Sequence, residues 1–257
     1  MSRFNSLEFG DQFDDQLPLE KEPIKGENFY MSEARSAFEV ANFEQGLRFY
    51  SKVLEFNPQN ASAWTGQVRM LIELGEFREA KLWADKALER FPHEPELLAS
   101  KAVALARGGD LESAMAFSDA SIEERGDTPY IWLARGDVLL ARREARSDYC
   151  FEKALLLAPR DWFTVWLAAR VRHYYRQFAL ALKLLQQAIE WNTAHFVLWI
   201  ELGRCQQAIG LITLARNSFL QAQQLNPQCQ ADVALEELAR TSLGSRLRGW
   251  WNRLSSK

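Results

Sequence analysis

The feature of this chain that most constrains its fold is a segment that recurs after a long interval. The stretch "FYSKVLEFNPQNASAW" begins at Phe49, and "FLQAQQLNPQCQADV" begins at Phe219 with the same spacing of an aromatic residue, a small residue and Asn-Pro-Gln. The two starts are 170 residues apart, which is five times 34. A fixed period of roughly 20 to 50 residues is typical of a solenoid that stacks one short unit many times.

A period of 34 divides the chain into six units, 27–60, 61–94, 95–128, 129–161, 162–195 and 196–229. The eighth, twentieth and twenty-seventh positions of these units hold Gly, Ala or Ser in 16 of 18 cases, where chance would supply about four. Helices approach closely only where one of them contributes almost no side chain, so the pattern predicts pairs of packed helices. The fourth unit is one residue short, and we expect the deletion in the turn from Arg142 to Glu144.

Further positions of the unit mark where its helices end. Prolines at the thirty-second position stop the second helix, and Gly75, Gly109 and Gly210 at the fifteenth position end the first. Together with an aromatic residue or leucine at the fourth position, this pattern resembles the tetratricopeptide repeat over about 200 of the 257 residues. The resemblance implies an all-α, right-handed superhelical solenoid of antiparallel helix pairs with an extended concave face. The residues that depart from the pattern, at a position that is usually leucine, are Glu33, Gln67, Lys101 and Arg135.

Two segments lie outside the six units. Residues 1–26 carry six acidic and three basic residues with three phenylalanines, which is typical of a flexible acidic arm. At the other end we expect a capping helix over 230–243, followed by a basic amphipathic tail over 244–257. Apolar residues of this tail, spaced as on one face of a helix, could pack back on the array or contact a membrane or a partner. The candidate contact residues are Leu247, Trp250, Trp251, Arg246, Arg248 and Arg253.

Composition limits the classes of function. The net charge of −3 gives no basic excess to neutralise phosphates, so nucleic acid is not an expected partner. The three cysteines form no metal-binding or disulfide pattern, and the three histidines form no catalytic constellation, so we expect no metal, no cofactor and no enzymatic activity. A secretory signal and a membrane-spanning stretch are both missing from the sequence, which favours a cytoplasmic protein, peripheral to a membrane at most.

Tetratricopeptide arrays generally bind peptides or other proteins. The resemblance therefore implies an adaptor or assembly factor that binds a partner segment in its concave groove. The alternative is a membrane-associated assembly protein that docks through its basic tail, similar to the six-repeat pilotins of bacterial pilus systems. An RNA-binding helical repeat is a third class, which the net charge disfavours.

The resemblance also implies which residues line the groove, because the second, fifth, ninth, twelfth and thirteenth positions of each first helix point inward. Arg35 and Arg69 have Glu39 and Glu73 four residues on, and we expect local ion pairs there. Arg170 is flanked by aromatic residues instead, which suits a segment with both carboxylate and aromatic groups, including the chain's own "LEFGDQFDD". The predicted partner-binding residues are Tyr130, Phe163, Trp166, Arg170, His173, Tyr174 and Arg204.

Overall fold

The computed structural model describes residues 26–124, 127–229 and 231–240, and every regular element in these ranges is a helix. Twelve helices form six antiparallel pairs, one pair per unit, which confirms the all-α prediction. A further helix, α13, spans 231–240. The other helices are α1 (Glu27–Glu39), α2 (Phe43–Phe56), α3 (Ala61–Leu74), α4 (Phe77–Leu88), α5 (Pro95–Arg107), α6 (Leu111–Glu123), α7 (Pro129–Ala141), α8 (Ser147–Leu157), α9 (Trp162–Tyr174), α10 (Phe178–Trp191), α11 (Phe196–Ala208) and α12 (Ile212–Leu225).

The small residues of the repeat lie where the helices cross. All eighteen residues at the eighth, twentieth and twenty-seventh positions are buried. In two pairs the approach requires glycine, because a Cβ added to Gly136 would lie 2.9 Å from the ring of Phe151, and one added to Gly203 would lie 2.5 Å from the ring of Phe219. The period read from the sequence is therefore the spacing of the packing contacts.

The turn inside each unit needs a residue in the left-handed region. Gly75, Gly109 and Gly210 supply it with φ between 82° and 95°, while Ala41, Arg143 and Arg176 take φ of 57° to 60° at the same fifteenth position. Arg143 therefore occupies the fifteenth position of its unit. Glu144 occupies the sixteenth, because its N–H donates to the carbonyl of the residue five before it, Leu139, as in the other units. The deletion in the fourth unit falls just after Glu144, where i to i+3 hydrogen bonds tighten the first turn of α8, and not at Arg142 to Glu144.

Three of the four polar residues that depart from the repeat pattern have a common structural role. The side chain at the seventh position of one unit contacts the twenty-fifth position of the preceding unit in three successive interfaces. Gln67 donates to the Ser51 hydroxyl at 3.2 Å. Lys101 Nζ lies 2.6 Å from an Asp85 carboxylate oxygen, and Arg135 Nη1 lies 2.7 Å from one of Asp119. A polar pair therefore replaces the usual leucine contact.

The superhelix brings its first two units against its fifth. The ring of Phe38 in α1 lies 5.1 Å from that of Phe163 and 6.3 Å from that of Trp166, both in α9. Phe77 in α4 similarly lies 6.4 Å from Tyr174. These contacts interrupt the extended groove that we expected, and a cleft of about 660 Å³ remains between the first two units and the last two.

The last helix covers the sixth unit. Ala231, Ala234 and Leu238 of α13 share a buried cluster with Ala215 and Phe219 of α12. This cluster shields an apolar helix face that a seventh unit would otherwise cover. No helix in the described ranges is long and apolar enough to cross a bilayer.

Candidate functional site

The centre of the site is an ionic network inside the superhelix. The guanidinium of Arg170 in α9 donates to Glu73 in α3 at 2.5 and 3.0 Å and to Glu201 in α11 at 2.6 Å. Arg204 donates to the same Glu201 oxygen at 3.1 Å. Because the exposed fraction of these side chains is 17% for Arg170, 14% for Glu73 and 5% for Glu201, the network is largely removed from water.

The electrostatics of this network follow from burial and pairing. Burial by itself would raise the pKa of Glu201, but Arg170, His173 and Arg204 outweigh it and lower that pKa to about 2. The pKa of Glu73 is also lowered, because Arg170 and Arg107 overcome the effect of burial. Both carboxylates are therefore ionised at neutral pH and hold the arginine in place.

A second buried network lies beside the first. Arg107 Nη2 lies 2.6 Å from Asp137, whose other oxygen accepts a 2.7 Å hydrogen bond from the Tyr175 hydroxyl. Arg107 also stacks over the ring of Tyr174, with its Cζ atom 4.2 Å from the ring centre. Tyr174 is thereby fixed at the edge of the superhelix while 46% of its surface stays exposed.

Two adjoining clefts open from these networks at the edge formed by the turns of the fourth and fifth units. Their volumes are about 420 and 600 Å³, and Tyr174 and Arg176 line both. We call the two clefts together the arginine cleft. Its other charged or titratable lining residues are Arg143, Glu144, Asp148, Arg170, His173, Tyr175, Glu201 and Arg204.

The acidic residues of the arginine cleft are already paired. Glu144 is bound by Arg142 and Arg146, Asp148 by Arg172, and Glu201 by Arg170 and Arg204. Arg143 and Arg176, in contrast, are exposed and have no ion pair within the described ranges. The cleft therefore presents two unneutralised guanidinium groups on a protein whose net charge is −3.

The structure brings together only part of the predicted site. Four of the predicted residues, Arg170, His173, Tyr174 and Arg204, line one cleft. The other three are packed inside the superhelix, because the first two units cover them. Trp166 is fully buried, Phe163 packs against Phe38, and Tyr130 lies under the guanidinium of Arg69 at 3.8 Å.

The predicted local ion pairs are half right. Arg35 Nε lies 3.1 Å from Glu39 on the surface, as expected. Glu73 does not pair with Arg69, because it binds Arg170 from across the superhelix, and Arg69 stacks on Tyr130 and Phe38 instead. Arg143 and Arg176 line the arginine cleft but are not among the residues predicted from the sequence. The sequence feature that distinguishes them is an arginine at the fifteenth position of the unit, where three other units have glycine.

The thiol of Cys205 lies beside the ionic network but is not activated as a nucleophile. His173 Nδ1 lies 3.5 Å from Glu201 and 3.7 Å from the sulfur of Cys205. A cysteine nucleophile activated by a histidine would have a similar arrangement. Burial and the nearby Glu201 raise the pKa of the Cys205 thiol to about 12, however, so it stays protonated and unreactive at neutral pH. The described residues contain no cluster of His, Cys, Asp and Glu that could hold a metal ion.

Comparison with known proteins assigns the family. The tetratricopeptide repeat model matches residues 31–95 and 65–129. The chain is a tetratricopeptide repeat protein. This confirms the resemblance read from the sequence, and it makes the array a scaffold of the kind that mediates protein–protein interactions. The two matched ranges overlap and are offset by 34 residues, in agreement with the period of the repeat.

Solved structures support the fold of this tetratricopeptide repeat protein. TTC0263, a thermophilic TPR protein in Thermus thermophilus, has a TM-score of 0.50 and 15% identity, over 83% of this chain and 99% of that chain. The human IFIT1 dimer with m7Gppp-AAAA has a TM-score of 0.51 and 17% identity, over 83% of this chain and 55% of that one. The chain spans about half the length of IFIT1 and of the matched chain in the APC/C hetero-tetramer Cut9–Hcn1, which it covers to 50%. No curated protein gives a significant match.

Proposed function

We propose that this tetratricopeptide repeat protein is a non-enzymatic adaptor or assembly factor that binds an acidic-aromatic segment of a partner protein in the arginine cleft. The observation that supports this most directly is the pair of unneutralised arginines, Arg143 and Arg176. Their side chains line one cleft, and each occupies a left-handed turn position where glycine would cost less. A strained residue that the fold does not require is a reason to look for a ligand.

The charge of the cleft favours an acidic ligand. Its own carboxylates are paired with arginines, so a ligand carboxylate would find Arg143 and Arg176 without displacing an internal partner, and it would share the half-exposed Arg204 with Glu201. Guanidinium groups bind carboxylates with two parallel hydrogen bonds, which gives geometric specificity as well as affinity. Residues 140–148 and 170–204 thus present a positive edge on a protein that is acidic as a whole.

The aromatic preference depends on Tyr174. Its ring is held from behind by Arg107 and by an edge contact with Tyr175 at 5.0 Å, so a partner side chain would meet a fixed surface. Phe178 lines the same cleft from the start of α10. Tyrosine and arginine residues in such fixed positions carry much of the binding energy of protein interfaces.

Affinity capture from a lysate, followed by mass spectrometry, tests the proposal. The bait is the full chain, compared with the double variant Arg176→Glu, Arg204→Glu and with the control Arg35→Glu, which reverses an exposed arginine outside the cleft. We expect a specific partner to be captured by the wild type and the control and to be lost, by at least tenfold, from the double variant. Equal capture by all three baits would place the binding surface elsewhere.

The alternatives have their own outcomes in the same experiment. Retention of nuclease-sensitive RNA by the wild type and not by the double variant would favour an RNA-binding function. The pilotin-like alternative depends on residues 244–257, including Leu247, Trp250 and Trp251, which lie outside the described residues. It predicts that binding to anionic vesicles is lost when those residues are removed.

Buried free thiols at Cys150, Cys205 and Cys229 suit the cytoplasmic location that we propose.

A further inference from the structure

The turn of the sixth unit carries an apolar surface that the other units lack. Ile209, Leu211, Ile212 and Leu214 are 36% to 49% exposed within a stretch of six residues. We call these four residues the terminal patch. Single exposed apolar residues are normal on protein surfaces, but contiguous ones mark a surface that another element covers.

The repeat itself shows that the terminal patch is unusual. The sixteenth position of the unit is polar in the first five units and leucine in the sixth, at Leu211. This position precedes the second helix of the unit, and Asn42 and Asp110 accept hydrogen bonds there from backbone N–H groups of that helix. The residues at this position in the other units are Asn42, Glu76, Asp110, Glu144 and Gln177. Leu211 cannot supply such a cap, and its side chain is 42% exposed.

The path of the chain leads to the terminal patch. Helix α12 starts at this turn and runs away from it, and α13 packs on it after a short connection, which is typical of antiparallel neighbours. Residue 240, the last described one, is therefore at the same edge of the array as the turn. Neighbouring helices pack about 8–10 Å apart, and the three residues from 240 to 243 can span about 10 Å.

The sequence that follows has an apolar stripe of matching size. Leu243, Leu247, Trp250 and Leu254 are spaced four, three and four residues apart, as on one face of a helix. A helix over these twelve residues would be about 18 Å long. The arginines at 246, 248 and 253 fall off the stripe, so the opposite face would be charged and solvated.

We propose that residues 243–254 form an amphipathic helix that packs on the terminal patch of the same chain. This contact would cover the leucines at 211 and 214 and would extend the cap begun by α13. It uses the tail as an internal element of the array, and it does not depend on the function of the arginine cleft.

Hydrogen exchange measured by mass spectrometry on the full chain tests this contact. In the wild type we expect the amides of residues 245–254 to exchange at least tenfold more slowly than those of an unstructured peptide. The patch variant Leu211→Glu, Leu214→Glu and the tail variant Leu247→Glu, Trp250→Glu should both abolish this protection. The tail variant should also speed exchange in residues 209–216. All substituted patch residues are on the surface, so the fold should survive, as circular dichroism will verify.

A matched control is the variant Leu82→Glu, Leu156→Glu, which places the same charges on exposed leucines of α4 and α8. It should leave the protection of the tail unchanged. Tail exchange that is fast in the wild type, or unaffected by the patch variant, overturns the proposal. Protection that falls on dilution, with a dimer mass in light scattering, would assign the patch to a second copy. Protection that appears only with anionic phospholipid vesicles would assign the tail to a membrane, and either result also overturns it.

Discussion

Arg170 and Glu73 are 97 residues apart in the sequence, yet the Nη2 atom of the arginine lies 2.5 Å from the Oε2 atom of the glutamate. The contact joins the fifth unit to the second across the inside of the superhelix. A stack of repeats in which each unit touches only its neighbours would lack such contacts. Here such contacts close part of the concave face between the second and fifth units.

The substitution Glu73→Gln tests the strength of this contact. It leaves one side of the buried Arg170 guanidinium without its charged partner, so we expect the free energy of unfolding to fall by about 3 kcal/mol. Glu39→Gln, which disrupts an exposed pair with Arg35, should cost less than about 0.5 kcal/mol. Urea denaturation followed by circular dichroism measures both values. Equal effects would show that the cross-superhelix pair does not hold the array closed.

Acid should open the same network. The pKa of Glu201 in the folded protein is about 2, because Arg170, His173 and Arg204 outweigh the effect of burial, and an unperturbed glutamate has a pKa of about 4.3. A lowered folded-state pKa stabilises the fold above the unfolded pKa, and this contribution is lost as the pH falls from about 4.3 to about 2. Thermal melts between pH 5 and 2 should therefore show a smaller loss of stability in Glu201→Gln than in the wild type. Parallel pH profiles would contradict the assignment.

Sequence reasoning located the repeats because the eighth, twentieth and twenty-seventh positions report contacts between neighbouring helices. It could not place Glu73, since the choice between Arg69 four residues before it and Arg170 in another unit depends on the curvature of the whole superhelix. That curvature accumulates from a small rotation at each repeat, and no single position encodes it. The same reason explains why Trp166 was predicted to be accessible and lies in the interior.

The polar contacts between successive units are open to a charge-swap test. Asp85→Lys would place a second cation beside Lys101, whose side chain is only 12% exposed, and should lower stability by about 1 kcal/mol. Adding Lys101→Asp should restore most of the loss, because the pair is re-formed in reverse. Swapping the exposed Lys52 and Glu55 in α2 serves as the control and should change little. A double variant as unstable as the single one would rule out a direct pair.

The left-handed arginines allow stability and binding to be separated. Because a residue with a Cβ pays about 1 kcal/mol in this conformation, Arg176→Gly should stabilise the fold by about that amount. If Arg176 binds the partner as proposed, the same variant should bind several-fold more weakly. Thermal melts and a binding titration measure the two effects. The matched control is Arg160→Gly, which relieves the same strain at φ 59° in a turn outside the arginine cleft and should leave binding unchanged. A stabilised Arg176→Gly that binds normally would remove Arg176 from the site.

The chain's own N-terminal arm is expected to compete for the arginine cleft. Residues 7–15 contain four acidic residues with Phe9 and Phe13, which is the chemistry that the cleft favours. The eleven residues from 16 to 26 can span about 36 Å when extended. Helix α1 follows them and is about 20 Å long, so the arm can run along its whole length. A fluorescent peptide of residues 5–17 should therefore bind the chain that lacks residues 1–26 more tightly than the full chain. Anisotropy titrations should show at least tenfold weaker binding for Arg176→Glu, Arg204→Glu in the shortened chain, and no change for Arg35→Glu. A peptide that binds all of these proteins equally, or none of them, would show that the arm does not occupy the cleft.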